Sequence, residues 1–132
     1  MLRLMPGDAC FFSDEPVVRG GLFEHPTPAE YIISAISGCS VTHIEKFCRE
    51  IGMPIDECHV DARLNMARLV PDDERGRNGG IMGSEMVITF TSSGAEDKFE
   101  SAKALFRKGC VMYLFAKSAD PVEDRWTLMR KG

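Results

Sequence analysis

The sequence has no long hydrophobic run. Its apolar stretches break within a few residues, whereas a membrane-spanning helix needs about 20 consecutive apolar residues. The first eight residues lack the apolar centre of a secretory signal peptide. Positive charge is also sparse, because the formal net charge is −4 and the 16 lysines and arginines are scattered. We therefore expect a cytoplasmic protein that binds neither a membrane nor nucleic acid.

The chain also lacks any Cys-x-x-Cys pair. Thiols usually stay reduced in the cytoplasm, and the number of cysteines is odd. For both reasons we do not expect a closed set of structural disulfides. The spacings match no common zinc pattern, and we expect neither a metal nor a cofactor. A cysteine is by default a small buried hydrophobic residue, and Cys10, Cys48 and Cys58 are interpreted in that way. The other two cysteines are Cys39 and Cys110.

The most clearly marked element is a long helix. Residues 27–30, with the sequence Thr-Pro-Ala-Glu, form a capping box with proline at the first helical position. The helix should run to about Ile51, because Gly52 suits a left-handed end and Pro54 prevents continuation. Its apolar side chains cover a wide arc, which predicts a central position. One stripe of this arc comprises Ile33, Ile36, Ser40, Ile44, Phe47 and Ile51.

The remaining pattern predicts strands on both sides of the helical segments. Apolar and polar residues alternate over 60–66 and 85–90, which predicts a hairpin joined by a loop at 71–80. A second helix is expected at about 95–108, a short helix from Cys110, and a last strand at 122–130. The fold class is therefore α+β with an antiparallel sheet, in a single domain over residues 1–132.

Cys39 lies on the long helix beside two notable residues. Gly38 costs about 1 kcal/mol of helix stability against alanine, so either a close approach by a backbone or substrate, or ordinary helix packing, should compensate. His43 follows one turn later on the same face. It could stabilise a Cys39 thiolate, or it could be a half-buried histidine with a structural partner.

Cys110 has a different local setting. Arg107 and Lys108 precede it, and a helix that begins at Cys110 would present its positive end to the sulfur. Both features lower the pKa of a thiol. The alternative is that the two basic residues only complement the C-terminus of the preceding helix.

Two motifs resemble the OsmC/Ohr family. The first is Gly20-Gly21 followed by residues 26–39, Pro-Thr-Pro-Ala-Glu-Tyr-Ile-Ile-Ser-Ala-Ile-Ser-Gly-Cys, and the second is Lys-Gly-Cys-Val at residues 108–111. The resemblance implies an OsmC-like α+β fold in which sheets wrap a long central helix. It also implies an intertwined homodimer with two sites at the interface.

The resemblance further implies a thiol-dependent peroxidase for organic hydroperoxides. Cys39 would become a sulfenic acid, Cys110 would form a disulfide with it, and a small dithiol or thiol would be the reductant. Candidates for tuning the thiolate are Arg19, Glu30 and His43, and the apolar pocket would include Ile32 and Ile36. The alternative is an OsmC-fold protein that binds a small ligand or senses redox state with little turnover. Ala29 favours it, because the family's hydroperoxide reductases carry glutamate there.

Overall fold

The computed structural model describes residues 2–4, 10–68, 74, 76 and 79–131. The chain divides into two compact units, Met1–Ser34 and Ala35–Gly132, and each is described by itself. A single domain over residues 1–132 stays a prediction. Most of the predicted loop at 71–80 lies outside the described residues, although Gly79 and Gly80 already belong to a strand.

The first unit begins with a two-stranded antiparallel sheet. Its strands are β1 (Leu2–Leu4) and β2 (Phe11–Ser13), and a 3-10 turn follows at Val17–Arg19. Gly20 ends this turn with a φ of 88°, a left-handed conformation that favours glycine.

Asp14 and Gly21 hold the next part of the first unit together. The buried Asp14 carboxylate accepts hydrogen bonds from the backbone N–H groups of Glu15 at 2.8 Å, Leu22 at 3.2 Å and Glu24 at 3.2 Å. These bonds lower the pKa of Asp14. A Cβ at Gly21 would overlap the carbonyl oxygen of Glu15. The double glycine is therefore required by a tight turn.

Helix α1 (Pro28–Glu50) begins in the first unit and continues in the second. The predicted capping box is present, because the Thr27 N–H donates to Glu30 Oε2 at 2.7 Å and the Glu30 N–H donates to Thr27 Oγ1 at 3.3 Å. Gly52 follows the helix with a φ of 65°, as expected. The buried residues of α1 are Ile36, Ser40, Ile44, Phe47 and Cys48, which confirms most of the predicted stripe.

The second unit contains a three-stranded sheet in the order β3-β4-β5. Strands β3 (Glu57–Arg68) and β4 (Gly79–Thr91) form the predicted antiparallel pair. Strand β5 (Val122–Met129) instead pairs with β4 in parallel, so the expectation of an antiparallel sheet is wrong for this strand. The connection from β4 to β5 contains two helices, and it is long enough for the crossover that a parallel pair requires.

One residue of β3 departs from the predicted alternation. Met66 was expected on the apolar face with Leu64, but it is 55% exposed. The pairing register shifts between Leu64 and Met66, and such a bulge turns the following side chains to the other face.

The two connecting helices are α2 (Glu96–Gly109) and α3 (Val111–Ala119). They help to form an aromatic cluster of Phe90, Phe99, Phe106, Tyr113 and Trp126. The α+β class is confirmed, and the intertwined dimer stays a prediction. Among the described residues, no helix is both long enough and apolar enough to cross a membrane.

Candidate functional site

The fold brings the two predicted cysteines together. Cys39 lies on α1 and Cys110 lies between α2 and α3, and the two are 71 positions apart in the sequence. Their sulfurs are separated by 3.9 Å. Both are free thiols, so this is the distance of a reduced pair in contact. A side-chain movement of about 1.9 Å would bring them to disulfide bonding distance.

Packing around Gly109 sets the position of Cys110. A Cβ at Gly109 would lie 2.6 Å from Cζ of Phe47, so only glycine lets this part of the chain approach α1 closely. Cys110 itself is extended, with φ −74° and ψ 110°. Its N–H still donates to the carbonyl of Phe106 at 2.9 Å, and its carbonyl accepts from the N–H of Leu114 at 3.0 Å. Cys110 is therefore fixed as both the end of α2 and the start of α3.

The two thiols differ in exposure. Cys110 is fully buried, whereas Cys39 is half-buried. Burial raises the pKa of the Cys110 thiol, and the backbone hydrogen bond from Tyr113 in the first turn of α3 does not compensate for it. The prediction of a lowered Cys110 pKa is therefore wrong. The helix terminus is present as expected, but the removal of the sulfur from water has the larger effect.

The basic residues before Cys110 do not offset this burial. Arg107 donates from Nε to Asp124 at 2.9 Å and lies 2.8 Å from the same carboxylate through its terminal nitrogen. Asp124 also accepts hydrogen bonds from the hydroxyl of Tyr113 at 3.0 Å and from the indole of Trp126. Lys108 is exposed. Arg107 thus joins α2 to β5, which is a structural role.

This network also sets the protonation of its members. Burial raises the pKa of Asp124, but the hydrogen bonds from Arg107, Trp126 and Tyr113 outweigh it and lower the pKa overall. Burial and the bond to Asp124 raise the pKa of Tyr113 to about 12. Asp124 is therefore a charged acceptor that anchors the first turn of α3, next to Cys110.

His43 lies beside Cys39, as the helical spacing predicts. Its Nδ1 is 3.3 Å from the Cys39 sulfur and 2.9 Å from the Cys39 carbonyl oxygen. The ring also packs against Phe47, with a centroid distance of 5.8 Å. In the tautomer protonated at Nδ1 the ring donates to the Cys39 carbonyl. In the tautomer protonated at Nε2, Nδ1 can instead accept the proton of the Cys39 thiol and then donate to the thiolate.

The other two candidates for thiolate tuning have local partners in the first unit. The Arg19 guanidinium pairs with Glu15 at 3.0 Å. Glu30 is engaged in the capping box, and the hydrogen bonds from Thr27 lower its pKa. A role for either residue at Cys39 stays a prediction.

The expected pocket residues differ in exposure. Ile32 is 40% exposed and Ile36 is 2% exposed. Within the described part of the chain, a Cβ at Gly38 would have no neighbour within 4 Å, so packing inside this chain does not explain that glycine. The place of Ile32 and Ile36 in a substrate pocket stays a prediction.

Of the remaining cysteines, Cys48 is fully buried and Cys58 is half-buried. Burial raises the pKa of Cys48, and it raises the pKa of Cys58 to about 11. Cys10 is exposed in the first unit, so its interpretation as a small buried residue is wrong. The two thiols with raised pKa values fit the structural interpretation.

Three potential metal ligands converge at the cysteine pair. One ligand atom each from Cys39, His43 and Cys110 lies within 4.8 Å of the others. Patterns of local spacing missed this group, because Cys110 is remote in sequence from the other two. The Cys-x-x-x-His spacing on α1 was the only local signal, and it places the two side chains on one helical face.

Comparison with known proteins identifies the relatives of this fold. Residues 20–123 match the family model described as OsmC-like protein. An OsmC-like protein from Mycoplasma pneumoniae has a similar structure, with a TM-score of 0.76 and 13% identity over 96% of this chain and 87% of that chain. No curated protein is significantly similar in sequence.

Two further structures belong to proteins named for hydroperoxide resistance. For the Legionella pneumophila protein the TM-score is 0.68, with 11% identity over 93% of this chain and 83% of that chain. For the Bacillus subtilis protein the TM-score is also 0.68, with 15% identity over 92% of this chain and 84% of that chain. At these identities the structural likeness shows the fold alone. The family model covers most of the chain, and the chain therefore belongs to the OsmC-like protein family.

Proposed function

We propose that the protein is a thiol-dependent peroxidase that reduces organic hydroperoxides. The observation that carries this proposal is the 3.9 Å separation of the Cys39 and Cys110 sulfurs, with His43 3.3 Å from the first of them. Family membership and the hydroperoxide resistance proteins among the structural neighbours support the same class of reaction.

Cys39 is the nucleophile in this proposal, because it is half-buried whereas Cys110 is fully buried. His43 Nδ1 takes the proton of the Cys39 thiol, and the thiolate attacks one peroxide oxygen. The O–O bond breaks, Cys39 becomes a sulfenic acid, and the alcohol leaves with the proton from His43.

Cys110 then completes the oxidative half of the cycle. Cys110 loses its thiol proton and its thiolate attacks the sulfur of the Cys39 sulfenic acid, so that an S–S bond forms and the S–O bond breaks. The hydroxide leaves as water with that proton. A small dithiol reduces the disulfide by thiol–disulfide exchange and leaves as its own cyclic disulfide. A neighbouring resolving thiol limits further oxidation of Cys39 to the sulfinic acid.

Three expectations accompany this mechanism. We propose an intertwined homodimer, which would give the exposed Ile32 and the open face of Gly38 a partner to contact. The peroxide would bind beside α1 in an apolar pocket that includes Ile32 and Ile36. We place the protein in the cytoplasm, where both thiols are kept reduced.

Peroxide consumption with a dithiol reductant tests the assignment. Cumene hydroperoxide and dihydrolipoamide are the substrate and the reductant, and wild type is compared with Cys39→Ser and Cys110→Ser. We expect Cys39→Ser to lose turnover and Cys110→Ser to accumulate a sulfenic acid that dimedone labels. Cys10→Ser is the matched control and should retain full activity. Full turnover by Cys39→Ser would contradict the proposal.

A second candidate is a redox sensor or small-ligand-binding protein with little turnover. One observation favours it. Arg19 pairs with Glu15 and Glu30 accepts a hydrogen bond from Thr27, so the two charged groups expected near a fast peroxidatic thiol already have local partners. Peroxide titration distinguishes the two. Loss of two thiols per chain within seconds supports the peroxidase, whereas slow oxidation spread over all five cysteines supports the second candidate.

A further inference from the structure

The reduced cysteine pair has a geometry that suits a metal ion. In tetrahedral zinc sites the Zn–S bond is about 2.3 Å, which places two sulfur ligands about 3.8 Å apart. The Cys39 and Cys110 sulfurs are 3.9 Å apart. A disulfide needs a separation of about 2.05 Å. The reduced site is thus closer to the spacing of two zinc ligands than to that of a disulfide.

His43 offers a third potential ligand atom next to the two sulfurs. A Zn–S bond of about 2.3 Å and a Zn–N bond of about 2.0 Å place sulfur and nitrogen about 3.5 Å apart. Nδ1 of His43 is 3.3 Å from the Cys39 sulfur, and one ligand atom from each of the three residues lies within 4.8 Å of the others. Two thiolates and one imidazole form a ligand set that zinc commonly takes.

Burial and charge favour the same ion. Cys110 is fully buried, and an isolated thiolate there would be poorly solvated. A divalent cation would neutralise two thiolates, so that the buried core of the site carries no net charge. The half-buried Cys39 keeps the site in reach of solvent, and water would be the fourth ligand of a tetrahedral ion.

We propose that Cys39, His43 and Cys110 bind Zn²⁺ in the reduced protein, and that bound zinc blocks oxidation of the cysteine pair. Binding replaces the protons of the two thiols, so two protons are released for each zinc ion bound by the protonated site. Disulfide formation removes both thiolate ligands. Zinc and peroxide therefore compete for the lone pairs of the same thiolate sulfurs. Zinc binding stands without the proposed peroxidase function, whereas the protection from oxidation rests on it.

Binding is tested on the full chain, reduced and free of metal. Zn²⁺ is titrated in competition with a chromophoric chelator, and Co²⁺ serves as a spectroscopic probe through its sulfur-to-cobalt charge-transfer band. We expect one ion per chain, more than about 100-fold weaker binding in Cys39→Ser, and about 10-fold or more weaker binding in His43→Ala. Cys10→Ser is the control that should bind like wild type.

Two further samples guard against misfolding of a variant. Cys110→Ala replaces the buried thiol without adding a polar group, and its circular dichroism shows whether it has folded. Wild type oxidised to the Cys39–Cys110 disulfide needs no substitution. It should not bind Zn²⁺, and reduction should restore binding. Equal affinity in the reduced wild type and in Cys39→Ser, or no charge-transfer band with Co²⁺, would overturn the zinc site.

Protection from oxidation is a separate measurement. One equivalent of cumene hydroperoxide is added with and without a saturating amount of Zn²⁺, and the disulfide is quantified by mass spectrometry. We expect zinc to slow disulfide formation at least about 10-fold, because the thiolate lone pairs are held by the metal. Equal rates would overturn protection. Absence of the disulfide even without zinc would instead contradict the proposed peroxidase and leave the binding result unaffected.

Discussion

Gly109→Ala perturbs the contact that sets the position of Cys110. The added Cβ would lie 2.6 Å from Cζ of Phe47, whereas carbon atoms prefer a separation of about 3.5–4.0 Å. The two groups must therefore separate by roughly 1 Å. Phe47 is buried, so its ring cannot move freely into solvent.

Two effects of opposite sign determine the change in stability. Overpacking of this kind costs about 1–3 kcal/mol. Replacing glycine by alanine at the end of α2 gains up to about 1 kcal/mol of helix stability. We expect a net loss of about 1–2 kcal/mol in the free energy of unfolding, measured by urea denaturation with the cysteines reduced.

The change should affect chemistry more than stability. Cys110 directly follows the perturbed residue, and a displacement of about 1 Å in a reacting group can slow a reaction by up to about 100-fold. We therefore expect slower formation of the Cys39–Cys110 disulfide after one equivalent of peroxide. When a second equivalent of peroxide is then added, more Cys39 should reach the sulfinic acid than in wild type, which mass spectrometry of the cysteine peptides measures.

Two controls isolate the contact. Lys108→Ala changes an exposed neighbour on the same helix and should leave stability and disulfide formation nearly unchanged. Phe47→Leu combined with Gly109→Ala removes the clashing ring atom, so the double variant should be more stable than the sum of the single effects predicts. The reasoning is refuted if Gly109→Ala matches Lys108→Ala both in stability and in the rate of disulfide formation.

Three further changes test other parts of the account. Asp124→Asn removes the charged acceptor of Arg107 and should lower the free energy of unfolding at pH 7 by about 1–3 kcal/mol. Because the pKa of Asp124 is lowered in the fold, the wild-type contribution is present above about pH 4 and is lost as the pH falls through the folded pKa. In urea denaturation, the stability of the variant should therefore fall less steeply with acid than that of wild type. Burial raises the pKa of Cys110, so little of its thiol is ionised at neutral pH. Disulfide formation from the sulfenic acid should therefore accelerate by up to about tenfold per pH unit as the pH rises towards that pKa. The rate is measured with a metal chelator present, and a flat profile between pH 6 and about 8 would contradict this reasoning. Gly21→Ala should unfold the turn of the first unit, because its Cβ would overlap the carbonyl oxygen of Glu15, and limited proteolysis should then cleave near this turn faster than in wild type.

Local sequence signals predicted the elements that local physics determines. The bounds of α1 followed from a capping box and a terminal glycine, and both are present. The pairing of β3 with β4 followed from alternation on both sides of a polar loop. The bulge after Leu64 and the parallel pairing of β5 were not predictable, because register and strand direction depend on contacts between distant segments.

The candidate site shows the same division. The contact between Cys39 and His43 follows from helical spacing, and the structure contains it. The nearness of Cys110 came from a family resemblance, since nothing local joins two residues 71 positions apart. The pKa of Cys110 was predicted in the wrong direction, because sequence shows neighbouring charges and a helix start but does not show burial.

The most direct test of the central claim is a stoichiometric peroxide titration of the reduced, metal-free protein, followed by mapping of the cysteine peptides. We predict that one equivalent of cumene hydroperoxide consumes two thiols per chain and yields a peptide pair joined through Cys39 and Cys110. Cys48 and Cys58 should remain reduced. A disulfide that involves any other cysteine, or a Cys39 sulfenic acid that persists beside a reduced Cys110, would contradict the account.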